Sequence, residues 1–365
     1  MSTIAFTRGV PSADLLPVDD LRRAVAEALE LDAAGALAYA PSGYLGLREW
    51  IGERHGVAPT RIVLFNGSLE GVGMLIEHTF AGEGGVAVVE DPTYDRSLIA
   101  LRHHGAEVVP VPLKQDGVDV DGVRSALDQH PDARMIYVIP TFQNPAGVTL
   151  SRDKRSALVT LARERGVLLV EDDPYGLLRF EGEADPTLFE LDGGENVVYS
   201  SSFTKTVAPG LRTGYLVLPE RLVAPIAKLS TNTYIAPNAF AEATLAAYCR
   251  GGRFEPNVAS ATVALKTRRD AMELALRDSF PEGTLWTTPA GGYFYWIELP
   301  EGYETAAVLA AATEAGVPFV PGADFTSRPV GARSLRLAFS AVTPAQIDEG
   351  VRRLGDILAR IPVSA

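Results

Sequence analysis

One lysine, Lys205, lies just beyond an apolar run that ends at Tyr199, inside the hydroxyl-rich turn Ser200-Ser201-Ser202-Phe203-Thr204. Seven residues later, past Pro209 and Gly210, comes Arg212. An amine held at a strand end can condense with an aldehyde. The Ser202 hydroxyl and the planar donor fork of Arg212 can hold a phosphate. A lysine alone in a loop is usually only solvated, but five other stretches carry matching chemistry.

Asn66-Gly67-Ser68-Leu69-Glu70 closes one strand and opens a helix. Gly67 permits a tight turn, and Ser68 can cap the helix. The free N–H groups of the first turn then make an anion site. A carboxylate on that anion is unfavourable, so Glu70 is expected to point away. Asp91-Pro92-Thr93-Tyr94 places an aromatic residue at a helix start after a strand. In Pro140-Thr141-Phe142-Gln143-Asn144-Pro145-Ala146-Gly147, two prolines and a glycine fix the direction of Asn144. Glu171-Asp172-Asp173-Pro174-Tyr175 puts three carboxylates at the end of an apolar strand, a costly arrangement without compensation. One of them, set against a heterocyclic nitrogen, would keep that nitrogen protonated. Ser334-Leu335-Arg336-Leu337-Ala338 holds an arginine inside an apolar strand, where it needs an anion. A bidentate carboxylate would supply one.

Ser202-Phe203-Thr204-Lys205 followed by Ala208-Pro209-Gly210-Leu211-Arg212 resembles the lysine motif of class I/II aminotransferases, pyridoxal phosphate (PLP) enzymes of fold type I. The resemblance covers nearly the whole chain, and the other motifs fall in the family's order. The chain looks most like the branch of 2-aminoadipate and kynurenine aminotransferases, which also supplies half of some GntR-type transcription regulators. The resemblance implies that Lys205 is the catalytic base and carries the cofactor. It implies that Gly67, Ser68, Leu69, Ser202 and Arg212 hold the PLP phosphate, and that Tyr94 stacks on the ring. Asn144 and Tyr175 would reach the phenolic oxygen, and Asp172 the ring nitrogen. Asp173 is the alternative to Asp172, but strand alternation sends it elsewhere. Arg336, preferred over Arg333, would take the substrate α-carboxylate together with Asn144. A family tyrosine reaches the phosphate of the other subunit. Tyr39 is the candidate and Tyr44 its rival beside the same Pro41-Ser42-Gly43 turn.

These side chains need strand ends to hold them. Short Val/Ile/Leu runs at 61–66, 86–90, 107–111, 135–139, 167–171, 197–201 and 215–218 alternate with helical stretches. Such runs read as strands buried on both faces, with sites at their C-terminal ends. The expected fold is α/β: fold type I, a mostly parallel seven-stranded sheet in a large domain, plus a smaller α/β domain. Residues 1–40 read as an N-terminal arm with part of the small domain, 41–250 as the PLP-binding domain and 251–365 as the small C-terminal domain. Helices are expected at 19–31, 45–55, 304–315 and 344–360, with a mainly helical stretch over 219–279 broken near Gly251-Gly252. Strands are expected at 292–299 and 334–339.

Composition bounds the rest. The 365 residues are 47% apolar, enough for one large and one smaller core. A net charge of -13 disfavours a nucleic-acid surface. The lone cysteine, Cys249, excludes an intrachain disulfide, and the five histidines show no metal-ligand spacing. No signal peptide or membrane span is read, so the expectation is a cytoplasmic protein. The exposed-arm reading and the shared tyrosine imply a homodimer. The implied reaction is ping-pong transfer of an amino group from an L-amino acid, aromatic or long aliphatic, to a 2-oxo acid, with 2-oxoglutarate as acceptor by analogy. Gly9, Val10 and the segment to residue 20 are expected on the substrate side, and Phe142, Tyr293 and Phe325 as an aromatic wall. No second arginine for a side-chain carboxylate stands out. Alternatives are C–S lyase, decarboxylating or oxidase chemistry on the same scaffold, or an effector-binding domain. The last lacks support from the acidic composition.

Overall fold

All seven expected runs form strands, and alternate residues along them face opposite layers. The computed structural model describes residues 3–326 and 328–361. Ser327, the first two residues of the expected arm and the last four of the expected small domain lie outside them. The larger sheet comprises β1 (Ile62–Phe65), β2 (Val86–Asp91), β3 (Glu107–Lys114), β4 (Gly117–Val118), β5 (Ala133–Val138), β6 (Leu168–Asp172), β7 (Val197–Ser202) and β8 (Gly214–Val217). Their order is β1-β8-β7-β6-β5-β2-β3-β4. Neighbours from β7 through β3 run parallel, while β8 runs against both β7 and β1. The sheet has eight strands rather than seven. The added β4 is a two-residue return that pairs antiparallel with β3, Lys114 opposite Gly117. Gly117, at φ 96°, turns the chain there, and two residues are too few to show as an apolar run.

The helices of this part are α1 (Val18–Ala36), α2 (Leu45–His55), α3 (Ser68–Phe80), α4 (Asp95–His103), α5 (Val120–Gln129), α6 (Arg152–Arg165), α7 (Leu188–Asp192), α8 (Glu220–Tyr234) and α9 (Ala239–Arg250). One face of the sheet packs Leu64, Val88, Ile136 and Leu169 with residues of α1, α2, α5, α6 and α9. The other packs Val63, Val89, Met135 and Val170 with α3, α4 and α8. Burial on both faces explains the uninterrupted apolar runs. The stretch 219–279 breaks at Ile235–Asn238 as well as near Gly251, since Ile235 takes a positive φ of 72°.

A long helix, α10 (Phe254–Ser279), leads to the smaller sheet of β9 (Leu285–Trp286), β10 (Phe294–Glu298), β11 (Val320–Pro321) and β12 (Ser334–Ala338), ordered β11-β12-β10-β9 and wholly antiparallel. With α11 (Thr305–Glu314) and α12 (Pro344–Leu358), this sheet encloses its own core. Helix α10 begins in the larger core at Phe254 and ends in the smaller one at Leu265, Met272 and Leu276. No helix among the described residues is long and apolar enough to cross a membrane.

The N-terminal arm joins the smaller sheet layer, whereas α1 lies in the core of the larger one. Ile4 N–H donates to Gly316 O at 2.7 Å, Phe6 N–H to Pro318 O at 2.9 Å, and Ala338 N–H to Phe6 O at 2.9 Å. The Phe6 ring is fully buried. Phe6→Ala is expected to cost about 3–5 kcal/mol by emptying that site. Scanning calorimetry against wild type checks this, and an unchanged midpoint would show that the arm is not anchored there.

Candidate active site

The parallel strands deliver their C-terminal ends to one cleft, as expected for an open α/β sheet. A cavity of about 200 Å³ opens there, lined by Gly67, Ser68, Leu69, Tyr94, Asn144, Asp172, Tyr175, Ser202, Lys205 and Arg212. Each of these was singled out from sequence. Ile139, Pro174 and Thr204 also line it and were not.

At one end lies an anion cradle. Gly67 sits at φ 107° before α3, and the N–H groups of Ser68 and Leu69 have no intrahelical acceptor. Arg212, itself left-handed at φ 49°, donates to Asn66 O at 2.9 Å. A Cβ on Gly67 would stand 2.6 Å from Arg212 Nη2, and one on Gly214 would stand 2.1 Å from Ser68 N. Both glycines are therefore needed for this close approach. Ser202 Oγ accepts the Thr204 N–H at 3.0 Å, which brings both hydroxyls to the same end. Glu70 turns back to accept the Asn66 N–H at 2.7 Å, away from the cradle.

At the far side of the cavity Asp172 ends β6. Tyr137 OH donates to its Oδ2 at 2.6 Å and Ser200 Oγ to its Oδ1 at 3.2 Å. Ser97 Oγ in turn donates to Tyr137 OH at 2.9 Å. Burial pushes the Asp172 carboxyl up to about 6, against the two hydrogen bonds that favour its ionised form. Its neighbours point to the other layer. Asp173 accepts from Tyr199 OH at 3.0 Å and Gly176 N–H at 2.8 Å. Glu171 accepts the Phe189 N–H at 2.9 Å and lies 3.6 Å from Arg155. Period-two alternation thus sorts one cavity carboxylate from two structural ones. Tyr137 was missed. Its signal was a hydroxyl within the apolar run 135–139, and such a group needs a partner.

Lys205 Nζ donates to Gly9 O at 2.5 Å and lies 5.7 Å from the centre of the Tyr175 ring and 5.8 Å from that of Tyr293. Burial, reinforced by the charge of Arg336, brings its amine down to about 8. Tyr293 OH donates to Lys205 O at 2.7 Å, fixing the lysine backbone. Tyr175 is buried in van der Waals reach of this group, its ring centre 5.4 Å from that of Tyr293, and its hydroxyl has no partner among the described residues.

Arg336, on β12, donates to Asn144 Oδ1 at 2.8 Å and to Thr7 O at 2.9 Å. Its guanidinium lies 4.3 Å from the Phe294 ring centre and 4.8 Å from that of Phe325. It is 7% exposed, forms no ion pair among the described residues, and its Nε lacks a partner. A buried cation without a counter-ion is built to receive one. Arg333, by contrast, donates to Leu299 O at 2.5 Å, away from the cavity. Asn144 is held by its loop. Arg155, wholly buried, donates to Pro140 O, Thr141 Oγ1 and Leu150 O, and Gln143 Nε2 donates to Pro92 O at 2.8 Å.

The arm brings Gly9 into the site through its carbonyl. Val10 O accepts from Ser340 Oγ at 2.8 Å, and beyond it Ser12 and Asp14 pair with Arg268 rather than lining the cavity. Of the three expected wall aromatics, Tyr293 and Phe325 stand beside Lys205 and Arg336. Phe142 does not: it takes φ 50° and packs against Gly291 and the Arg179 guanidinium. The two tyrosines of the Pro-Ser-Gly turn part company. Tyr44 donates to Asp32 Oδ2 at 3.1 Å, and its N–H to Glu242 at 2.7 Å. Tyr39 is 79% exposed and stays outside the cavity of its own chain.

The arrangement therefore offers an anion cradle, a carboxylate and an amine around one cavity, with a second, buried cation beside it. Residues 3–354 match the family described as aminotransferase class I and II. Aromatic-amino-acid aminotransferase 1 of Thermococcus litoralis is 33% identical over 366 aligned positions, covering 97% of this chain and 88% of that protein. The 2-aminoadipate transaminase of Thermus thermophilus is 32% identical over 359 positions, covering 97% and 90%. Among solved structures, a kynurenine aminotransferase of Pyrococcus horikoshii, in complex with PMP and with KYN as substrate and KYA as product, superposes at a TM-score of 0.92. It is 32% identical over 98% of this chain and 91% of that one.

Proposed function

The chain belongs to the class I and II aminotransferase family and is a PLP-dependent transaminase, and from that premise we propose how its own residues divide the work. The observation that carries the proposal is the placement of Lys205 and Asp172 around one cavity whose end is the Ser68–Arg212 cradle. The residues fit the cofactor. The glycine-dependent cradle suits a phosphate, and the Asp172 carboxylate suits a protonated ring nitrogen. Bound there, PLP supplies an aldehyde that accepts the amino group and a ring that draws negative charge from the substrate Cα.

Ser68, Leu69, Ser202, Thr204 and Arg212 bind the phosphate, with Gly67 allowing their approach. Tyr94 covers one ring face. Asp172, oriented by Tyr137 and Ser200, would set its carboxylate against the ring nitrogen. Asn144 gives its oxygen to Arg336, which leaves its N–H₂ group and the unpartnered Tyr175 hydroxyl for the phenolic oxygen. Arg336 binds the substrate α-carboxylate, replacing Thr7 O. The Lys205 amine takes the proton from Cα and would return it to the cofactor's C4′ carbon on the other side of the amino nitrogen, and a value near 8 lets it do both near neutral pH. Water is kept from this proton by Tyr175, Tyr293 and the arm at Gly9.

The donor is read as an aromatic or long aliphatic L-amino acid and the acceptor as a 2-oxo acid, with Tyr293, Phe294 and Phe325 supporting an apolar side chain. The visible absorbance of the purified protein tests this. Amino acids should bleach it one class at a time, and a 2-oxo acid should restore it. Release of ammonia or carbon dioxide without that exchange would favour the lyase or decarboxylase reading.

We further propose a homodimer. Tyr39 and Leu37, 79% and 71% exposed, stand beside Pro237 and Phe240, an apolar group of residues left uncovered in one chain. Tyr39 would then serve the partner's phosphate site. Light scattering should give twice 39.0 kDa. An active monomer would overturn the shared-site reading.

A further inference from the structure

Glu90 lies one residue from the end of β2 and is 1% exposed, yet the division of work above gives it no task. Its Oε2 accepts the Ile139 N–H at 3.0 Å and a hydrogen of Gln143 Nε2 at 3.1 Å. It forms no ion pair among the described residues. A buried carboxyl without a cation is costly as an anion. Burial, reinforced by the charge of Asp172, pushes it up to about 8, against the two hydrogen bonds and the charge of Arg155. At neutral pH it is therefore a neutral acid. Its Oε2 takes both donors and its proton sits on Oε1.

Gln143 is as fully engaged as Glu90 is buried. Its Nε2 gives one hydrogen to Glu90 Oε2 and the other to Pro92 O at 2.8 Å, while its Oε1 accepts the Ala146 N–H at 2.8 Å. A flipped amide would set oxygen against two acceptors, so one orientation is fixed. These bonds tie together two chain segments. Pro92 lies two residues before Tyr94, and Gln143 directly precedes Asn144. Tyr94 and Asn144 line the cavity, whereas Glu90 and Gln143 do not. The Asn144 side chain has one bond among the described residues, from Arg336 to its Oδ1, so the aim of its N–H₂ group depends on the loop behind it.

We propose that Glu90 and Gln143 are a pair of positioning residues, which hold the segments after β2 and β5 at the spacing that sets Tyr94 and Asn144 on the cofactor ring. This rests on the transaminase reading of the same cavity, in which Asn144 donates to the phenolic oxygen. Both residues act through Tyr94 and Asn144 and touch no reacting atom. As a neutral acid, Glu90 makes this clamp without adding a second negative charge beside Asp172.

The test is the pH midpoint of the visible absorbance change of the holoenzyme, read with no amino acid present. An N–H donated to the phenolic oxygen favours its ionised form. Gln143→Met keeps the length of the side chain and removes all three bonds. Asn144 then loosens, and the midpoint should rise by about one unit, the scale of one lost hydrogen bond. Glu90→Ala should move it the same way, and the double variant no further than Gln143→Met, since both cut one clamp. Glu90→Gln offers an amide oxygen to the same donors and should keep the wild-type midpoint, which preserves the test where Glu90→Ala does not fold. Val123→Ala, in the core on α5 and away from the cavity, should lower stability and leave the midpoint in place. An unmoved midpoint in Gln143→Met, or a shift in Glu90→Gln as large as that in Gln143→Met, would overturn the proposal. The outcomes separate from those for the overall function. A shifted midpoint in a protein that converts no amino acid leaves the clamp and removes the reaction. Conversion of amino acids with an unmoved midpoint in Gln143→Met leaves the transaminase and removes the clamp.

Discussion

Lys205→Ala is expected to lower turnover by at least about 10³-fold with every amino acid, while the cavity and its cradle remain. The lysine alone combines nearness to the reacting carbon with an amine brought down to about 8 by burial and by Arg336. No other side chain lining the cavity can exchange a proton there at neutral pH. Tyr175 is raised well above its ordinary range, and Asp172 sits at the far side of the cavity. Lys205→Arg separates charge from proton transfer, since a guanidinium stays protonated. It should be as slow as the alanine variant. Single-turnover absorbance and steady-state rates check both, and near-normal turnover in either would remove Lys205 from the chemistry.

Asp172→Asn is expected to lower kcat by about 10²–10³-fold, because an isosteric amide keeps the shape and loses the charge proposed for the ring nitrogen. The same change should stabilise the cofactor-free protein. The folded carboxyl titrates at about 6 against 3.8 in the unfolded chain, so the protonated form suits the fold. Below the unfolded value both states are protonated, and the variant gains nothing. As pH rises from about 4 to 6, wild type loses stability at about 1.4 kcal/mol per unit, and above 6 the gap levels near 3 kcal/mol. Denaturant unfolding at pH 4 and pH 8 measures it. A variant equally active, or equally stable at both pH values, would contradict this account of Asp172.

Much of this site was legible because its side chains sit at strand ends in dense local patterns. Lys205 with Arg212, Asn144 between prolines, and Asp172 three residues before Tyr175 each announce themselves by type and spacing. The choice of Asp172 over Asp173 followed from the family resemblance, with alternation sending Asp173 to the other layer. What stayed hidden has physical reasons. The Thr7 and Gly9 carbonyls are backbone atoms and leave no mark on residue type. Tyr137 was masked by the apolar residues around it. Phe142 was misplaced because its positive φ turns the ring toward Gly291, and nothing in its neighbours reports that angle. Tyr39 and Tyr44 share one turn, and only the pull of Asp32 and Glu242 on Tyr44 separates them.

The three-residue stretch Thr7-Arg8-Gly9 also sets a threshold for occupancy. Arg336 and Lys205 each donate one hydrogen bond to a main-chain oxygen of that stretch. At Nη2 an incoming carboxylate therefore exchanges partners with Thr7 O, and that part of its gain is a difference between two hydrogen bonds, about 1 kcal/mol in scale. Stray monoanions in the solvent are discriminated against by that margin. A substrate that engages both cations at once displaces both oxygens together, so the arm acts as a molecular latch whose release requires two keys turned in concert.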